Sequence, residues 1–293
     1  MADGHIQVIK APAGWMNINW PELWFYRELF GFLIWRDIKV KYKQTLLGAA
    51  WAILVPLLQM VVFTVIFGNL AKLSTDGLPS PIFYYAALLP WTYFASSLNM
   101  ATQSMVGNAH ILTKIYFPRL MIPATPCVAG LIDFFIAFSL LIFMMLYYQI
   151  SLSITALLLP VLLIIALGTC YGVSLFLSAL NVRYRDIRYV IPFLIQMWMY
   201  CTVIIPFSAI PESFGNWRYL YGINPMAGVI EGFRWCLLQS HMHVNKVVNG
   251  VNVQTAIDSP WILIFIGAIV MICALIFGLM YFKRMERTLA DII

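Results

Sequence analysis

A helix needs roughly 20 consecutive apolar residues to cross a hydrocarbon core about 30 Å thick, and this chain meets that demand repeatedly. Stretches near 46–70, 82–106, 120–148, 154–180, 190–207 and 261–282 are long, apolar and almost free of charge. No other feature restricts the fold as much. In lipid the backbone must satisfy its own hydrogen bonds, so each stretch is expected to be a helix. Composition agrees, because 62% of the 293 residues are hydrophobic and 10% charged, against about half and about a quarter in a soluble domain. The expected fold class is an all-α polytopic membrane protein with six transmembrane helices, an N-terminal amphipathic interface helix, and short re-entrant or interfacial helices on the outer side before the last span.

The net charge of +6 sits in short clusters beside the spans, as topology signals do, which argues against nucleic acid as a partner. With the N-terminus inside, Lys10, Arg27, Arg36, Lys39, Lys41, Lys43, Lys114, Arg119, Arg183, Arg185, Arg188, Lys283, Arg284 and Arg287 fall on the inner side. Only Lys72, Arg218, Arg234 and Lys246 fall outside, so both termini are expected in the cytoplasm. Residues 1–45 show no uninterrupted apolar core followed by a small-residue cleavage site, and the first span is expected to serve as the membrane signal. Cys127, Cys170, Cys201, Cys236 and Cys273 are scattered without a CxxC pair and are expected to be small core residues, neither a disulfide frame nor a metal site.

The chain thus divides into a cytoplasmic segment (1–45), a transmembrane domain (46–282) and a cytoplasmic tail (283–293). The domain includes a cytoplasmic connection (107–119) and an extracytoplasmic region (208–260) too apolar for an ordinary loop. Within that region Asn224 can cap a helix and Pro225 suits its first position. A helix over 226–239 would be about 21 Å long, too short to span and suited to a re-entrant or interfacial place. The polar 241–259 segment alternates Val and Asn and is expected to form a small hairpin turning at Asn249-Gly250.

As a helix, the stretch before the first span puts Arg36, Lys39 and Lys43 within about 60° of one another and Ile34, Ile38 and Tyr42 on the opposite side. Such a helix would lie at the interface, apolar face in the headgroup boundary and basic face toward lipid phosphates, with Lys41 snorkelling; the simpler reading is a positive-inside anchor. In 107–119, residues 108–116 can form about two helical turns before Pro118 forces a bend. Ile111, Ile115 and Phe117 are then its apolar contacts. Around Asp186, Arg183, Arg185 and Arg188 either pair with the acid to fix a turn or face a lipid-linked phosphate. Asp133 lies within the third span, where an unpaired carboxylate is costly, and pairing with a Tyr or a backbone group is expected. Gly168 and Gly172, followed by Ser174 and Ser178, offer one face for close helix approach, inside the chain or with another copy. The aromatics Phe83, Tyr84, Tyr85, Trp91, Tyr93, Phe94, Phe193, Trp198, Tyr200 and Phe207 suit interface belts and lipid-facing bulk, or rings along a sugar path. No P-loop, HExxH or GxSxG motif is present, and His241 and His243 form an HxH pair without an evident third ligand.

Taken together, "WRDIKVKYKQTLLGAAWAILVPLLQM" (35–60), "LLPWTYFASSL" (88–98), "KIYFPRLMIP" (114–123), "LNVRYRDIRY" (180–189) and "INPMAGVIEGFRW" (223–235) resemble the membrane subunit of type-2 ABC exporters that move polysaccharides, as in O-antigen and teichoic acid export. The resemblance implies a homodimeric permease in the bacterial inner membrane, joined to two ATP-binding-cassette subunits that bind the ATP and Mg, with no cofactor of its own. It implies a polyprenyl-diphosphate-linked glycan as cargo, with Arg36, Lys39, Lys41 and Lys43, then Arg183 and Arg185, as diphosphate and interface-helix candidates. Asn108, Ile111, Lys114, Ile115, Phe117, Pro118 and Arg119 would form the coupling helix that docks on the ATPase. Asn224, Pro225, Glu231 and Arg234 would belong to the outer gate, with Glu231 and Arg234 as an i, i+3 pair. Trp91, Tyr93, Phe94, Trp198 and Tyr200 are the candidates for the glycan path. The alternatives are the same fold carrying a drug or small lipid, or a membrane enzyme or scaffold that moves nothing.

Overall fold

The computed structural model describes residues 20–43, 47–73, 75–204, 206–210, 212–239, 243–248, 251–256 and 259–292. Ten α-helices and one hairpin follow in order: α1 (Trp20–Phe25), α2 (Arg27–Tyr42), α3 (Ala50–Phe63), α4 (Ser80–Gly107), α5 (Ala109–Leu112), α6 (Met121–Tyr147), α7 (Leu159–Arg183), α8 (Ile187–Met199), α9 (Pro225–Arg234), β1 (His243–Val248), β2 (Val251–Ala256) and α10 (Trp261–Ile292). Wider π-type turns extend α3 to Leu70, α8 to Ile204 and α9 to Gln239, and a 3₁₀ lead-in from Ile154 precedes α7.

Five of these segments are long and apolar enough to cross a membrane: Ala50–Leu70, Met121–Tyr147, Ile154–Arg183, Ile187–Ile204 and Trp261–Glu286. Each lies within a few residues of an expected span. The remaining expected span is α4, which at 28 residues has the length but carries Tyr, Trp, Ser, Thr, Asn and Gln. Its place explains that composition. α4 packs against α3, α6, α7, α8 and α9 and is buried almost throughout from Ile82 to Met105. A helix enclosed by protein need not be soluble in lipid, and two of its three tyrosines find carbonyl partners: Tyr85 OH donates to Ala137 O at 2.9 Å and Tyr93 OH to Cys127 O at 3.0 Å. The α4 aromatics Phe83, Tyr84, Tyr85, Trp91, Tyr93 and Phe94 are therefore not an interface belt, because all are buried.

α7 and α10 form the closest pair. A side chain at Gly172 would meet the Leu275 nitrogen at 2.7 Å and Ala274 carbonyl carbon at 2.9 Å, and one at Gly278 would meet the Gly172 oxygen. The glycine face thus serves an internal neighbour. Ser174 is not on it: two residues on from Gly172 is a rotation of about 200°, and its hydroxyl faces Cys127 of α6. All five cysteines are free, but only Cys127, Cys170 and Cys236 are core residues, whereas Cys201 and Cys273 are exposed on the bundle's outside.

A large core runs through α4, α6, α7, α8 and α9. A second, smaller one gathers at the end of the bundle that carries α5, from Leu33, Met105, Phe117, Leu120, Ile122, Leu175, Phe282 and Met285. α10 continues helical to Ile292, so the expected tail is part of the last helix. At the opposite end the hairpin pairs His243 with Ala256 through Val248 with Val251 in antiparallel register. Its expected turn at Asn249-Gly250, together with His241 and residues 1–19, lies outside the described residues.

Candidate transport cavity and its flanking elements

A cavity of about 550 Å³ lies among α2, α3, α4, α6 and α8, in the range of a small-molecule site. Rings line it from Trp51, Trp91, Tyr93 and Phe134, and polar groups from Gln59, Thr92, Ser96, Gln196, Lys41, Tyr42 and Asp133. Of the aromatics singled out from the sequence, Trp91 and Tyr93 reach the cavity directly. Phe94 and Trp198 stand behind them, Phe94 edge-on to Trp198 at 5.1 Å and Trp198 edge-on to Trp91 at 6.1 Å between centroids. Tyr200 is exposed and accepts a hydrogen bond from Gln196, a cavity residue. Sequence reasoning missed Trp51, Gln59 and Gln196. Gln59 and Gln196 each carried a signal, an amide inside an apolar span.

Asp133, halfway along α6, is paired by two side chains of α2: Lys41 forms an ion pair with one carboxylate oxygen and the Tyr42 hydroxyl donates to the other. A tyrosine partner was expected and the lysine was not. Burial, and then the hydrogen bond to Asp133, push the Tyr42 phenol well above its ordinary pKa, so it remains a donor.

This pairing corrects the reading of α2. The helix starts at Arg27, and its face at Ile38 packs on protein along the first half of α6 instead of sinking into headgroups. Lys41 does not snorkel, because it is held by Asp133. Arg36 is half-buried and paired with Asp37, Nη2 to Oδ1 at 2.7 Å. Among its exposed residues α2 presents Phe32, Trp35, Lys39 and Val40, with Lys43 just past its end, an aromatic and basic patch suited to a membrane boundary.

At the α5 end the expected two-turn helix is one turn, Ala109–Leu112, since Asn108 turns back to donate its amide to Ser104 O at 2.8 Å. Phe117 is 4% exposed and belongs to the smaller core, so it is not a surface for a partner. Phe117→Ala is expected to lower stability by about 3–5 kcal/mol, measurable as thermal unfolding in micelles. Arg119 also turns inward, its Nη1 donating to Glu286 O at 3.0 Å, while Ile111 packs on the same core. The apolar surface of this segment is carried instead by Ile115, 53% exposed, and Tyr116, beside Lys114. Tyr116 is hydrogen-bonded to Glu22 of α1; burial first, then that carboxylate, raises its pKa. In the next turn at this end Arg183 lies over Tyr184 and Arg188 over Tyr189, at 5.3 and 4.6 Å to the ring centroids. Arg185 and Asp186 are exposed, and Asp186 forms no ion pair among the described residues.

At the opposite end Asn224 caps α9 as expected, its Oδ1 accepting from Met226 N at 3.1 Å and its Nδ2 donating to Thr202 Oγ1 at 2.8 Å. Every residue from Pro225 to Arg234 is buried against α4, α7 and α10, so α9 is enclosed in the bundle and does not lie on its surface. The i, i+3 pair is present: Arg234 Nη1 meets Glu231 Oε1 at 2.9 Å. Arg234 Nη2 donates to Val203 O at 2.9 Å, Phe207 N donates to Glu231 Oε1 at 3.3 Å, and the guanidinium lies 4.0 Å from the Phe83 ring centroid. One buried pair thus joins α9 to the end of α8, the loop beyond it and α4.

Membrane-length helices beside an open, aromatic and polar cavity define a multi-pass helical membrane protein. Its sequence matches the ABC-2 type transporter family over residues 28–238, and the chain belongs to that family. It is similar to the O-antigen export system permease protein RfbA of Klebsiella pneumoniae, 28% identical over 260 residues, which cover 88% of this chain and 92% of the relative. RfbA of Myxococcus xanthus is 27% identical over 73% of this chain and 81% of its own length. The polysialic acid transport protein KpsM of Escherichia coli is 24% identical over 80% and 89%.

Proposed function

We propose that this chain is the permease subunit of an ATP-driven exporter that moves a polyprenyl-diphosphate-linked polysaccharide of the O-antigen type from the cytoplasm across the bacterial inner membrane. The cavity carries the reading. Indole and phenol rings offer faces on which sugar C–H groups stack, while Gln59, Thr92, Ser96 and Gln196 supply donors and acceptors for hydroxyls. The relatives' names, an O-antigen export permease and a polysialic acid transport protein, point to the same cargo class. In this reading α4 is a sixth span, held by protein instead of lipid, and the α5 end faces the cytoplasm with both termini. A second copy completes the path, and two ATP-binding-cassette subunits dock at the α5 end, where Ile115, Tyr116 and Lys114 offer the contact surface. Lys39 on α2 and Lys43 just past its end, both exposed, stay candidates for the lipid diphosphate, with Arg183 and Arg185 beyond them.

The test is complementation of a strain that makes O-antigen and its ATP-binding subunit but lacks the permease. Expression of this chain is expected to restore surface polysaccharide, seen by labelling whole cells. Ile115→Asp should leave membrane insertion and melting temperature unchanged while removing surface polysaccharide and permease stimulation of ATPase activity. Wild-type export by that variant would refute the docking surface, and no export by the unaltered chain would refute the cargo.

A further inference from the structure

The ion pair at the cavity wall is not enclosed by core. The Lys41 side chain is 37% and that of Asp133 15% exposed, and both line the cavity together with Tyr42, at the end where α3 begins. We propose that Lys41 is an exchangeable anion site of this cavity and Asp133 its built-in competitor: a phosphate-bearing headgroup takes Lys41 from Asp133, and Tyr42 holds the carboxylate that is left behind. The inference rests on the exporter reading for the source of the headgroup, and on geometry for the site itself.

Three observations carry it. First, Asp133 lies midway along a 27-residue apolar helix, so it cannot be left without a partner in that environment. It has two, of different kinds. The lysine is a flexible point charge with three donors that suits phosphate, and it stands at the cavity. The tyrosine is half-buried, is held as a neutral donor, and stays on Asp133 when the lysine leaves. Second, a phosphate oxygen set brings more negative charge to Lys41 than one carboxylate does and makes charge-assisted hydrogen bonds of the same type. The site therefore favours a diphosphate over Asp133 and favours Asp133 over neutral lipid. Third, Lys41 and Tyr42 end α2, whose other half packs through Leu29 and Leu33 on the core that contains Phe117, beside α5. Releasing Lys41 leaves the cavity end of α2 tied to α6 through Tyr42 alone, and the far end of that helix is built into the segment proposed to face the ATPase. Bulk electrostatics around the site agree: Arg36 is neutralised by Asp37, so Lys41 is the cation of α2 that lines the cavity.

The experiment measures binding of farnesyl diphosphate to the purified permease in nanodiscs of phosphatidylcholine, with farnesol, inorganic pyrophosphate and phosphatidylglycerol as separate competitors. Asp133→Asn removes the competitor and is expected to tighten binding about tenfold, Lys41→Met to abolish it, and the double variant to behave as Lys41→Met. Tyr42→Phe keeps the ion pair but not the donor that supports Asp133 after exchange, so it should weaken binding about tenfold with little change in melting temperature; it decides the matter if Asp133→Asn does not fold. A purely structural pair would give the opposite sign, Asp133→Asn weakening binding or leaving it unchanged, and that result, or wild-type binding by Tyr42→Phe, overturns the proposal. Competition by pyrophosphate assigns the site to the phosphate group alone, and competition by phosphatidylglycerol to any anionic headgroup; both support it. Binding does not depend on export, so a chain that binds as described but exports no polysaccharide keeps the site and loses the cargo, whereas an exporter whose binding ignores Lys41, Tyr42 and Asp133 does the reverse.

Discussion

Arg234→Ala is expected to destabilise the protein by about 3–5 kcal/mol, the range for removing one partner of a buried ion pair. The substitution leaves the Glu231 carboxylate in a fully protein-lined place with only the Phe207 amide, takes a donor from Val203 O, and strips the cation from the face of Phe83. The loss should appear as a lower melting temperature in micelles and as protease sensitivity of the segment around α9. Replacing both members, Glu231→Leu with Arg234→Met, removes the charges together and is expected to recover most of that stability. The double variant then separates two roles. If it folds and still supports export, the pair only cements α9; if it folds and export is lost, the charges belong to the outer gate.

Gly172→Ala is expected to disrupt the packing of α7 on α10, and Gly168→Ala to be tolerated, although both glycines lie on the same face. The difference is what a methyl group meets. At Gly172 it meets main-chain atoms of Leu275 and Ala274, which cannot move without shifting the whole helix; at Gly168 it meets the Met271 sulfur at 2.7 Å, the far part of a flexible side chain that can turn away. Overpacking against backbone costs about 1–3 kcal/mol or more, enough to reduce the folded fraction recovered from membranes. Equal yields and melting temperatures for the two variants would contradict the packing described.

The spans, the α9 cap and the Glu231–Arg234 pair were legible because each depends on residues close in sequence. A run of apolar residues, an Asn-Pro at a helix start and an acid three residues before an arginine act locally, wherever the helix is placed. The role of α2 was not legible for the same reason. The spacing of Arg36, Lys39 and Lys43 describes one helix in isolation, and on that basis its apolar side belongs in lipid. In the folded chain that side meets α6, Arg36 is neutralised by Asp37, and Lys41 is drawn to Asp133, 92 residues away. Phe117 failed in a similar way: beside a proline bend it looks like a surface contact, yet the smaller core gathers around it from α2, α4, α6, α7 and α10.

The sequence by itself determined that the chain is helical and membrane-embedded, and where most of its spans begin and end, because lipid leaves an apolar backbone no alternative to the helix. It also marked Gly168 and Gly172 as places of close approach. Only the tertiary structure decided what each helix faces. It made α4, the long helix that carries Tyr, Trp, Ser, Thr, Asn and Gln, the centre of the bundle; it turned the glycines of α7 toward α10; and it set Lys41, Tyr42 and Asp133 together on a cavity wall. A hydrophobic pattern reports how far a residue wants to be from water, but in a membrane protein lipid and protein satisfy that demand equally, and packing alone chooses between them.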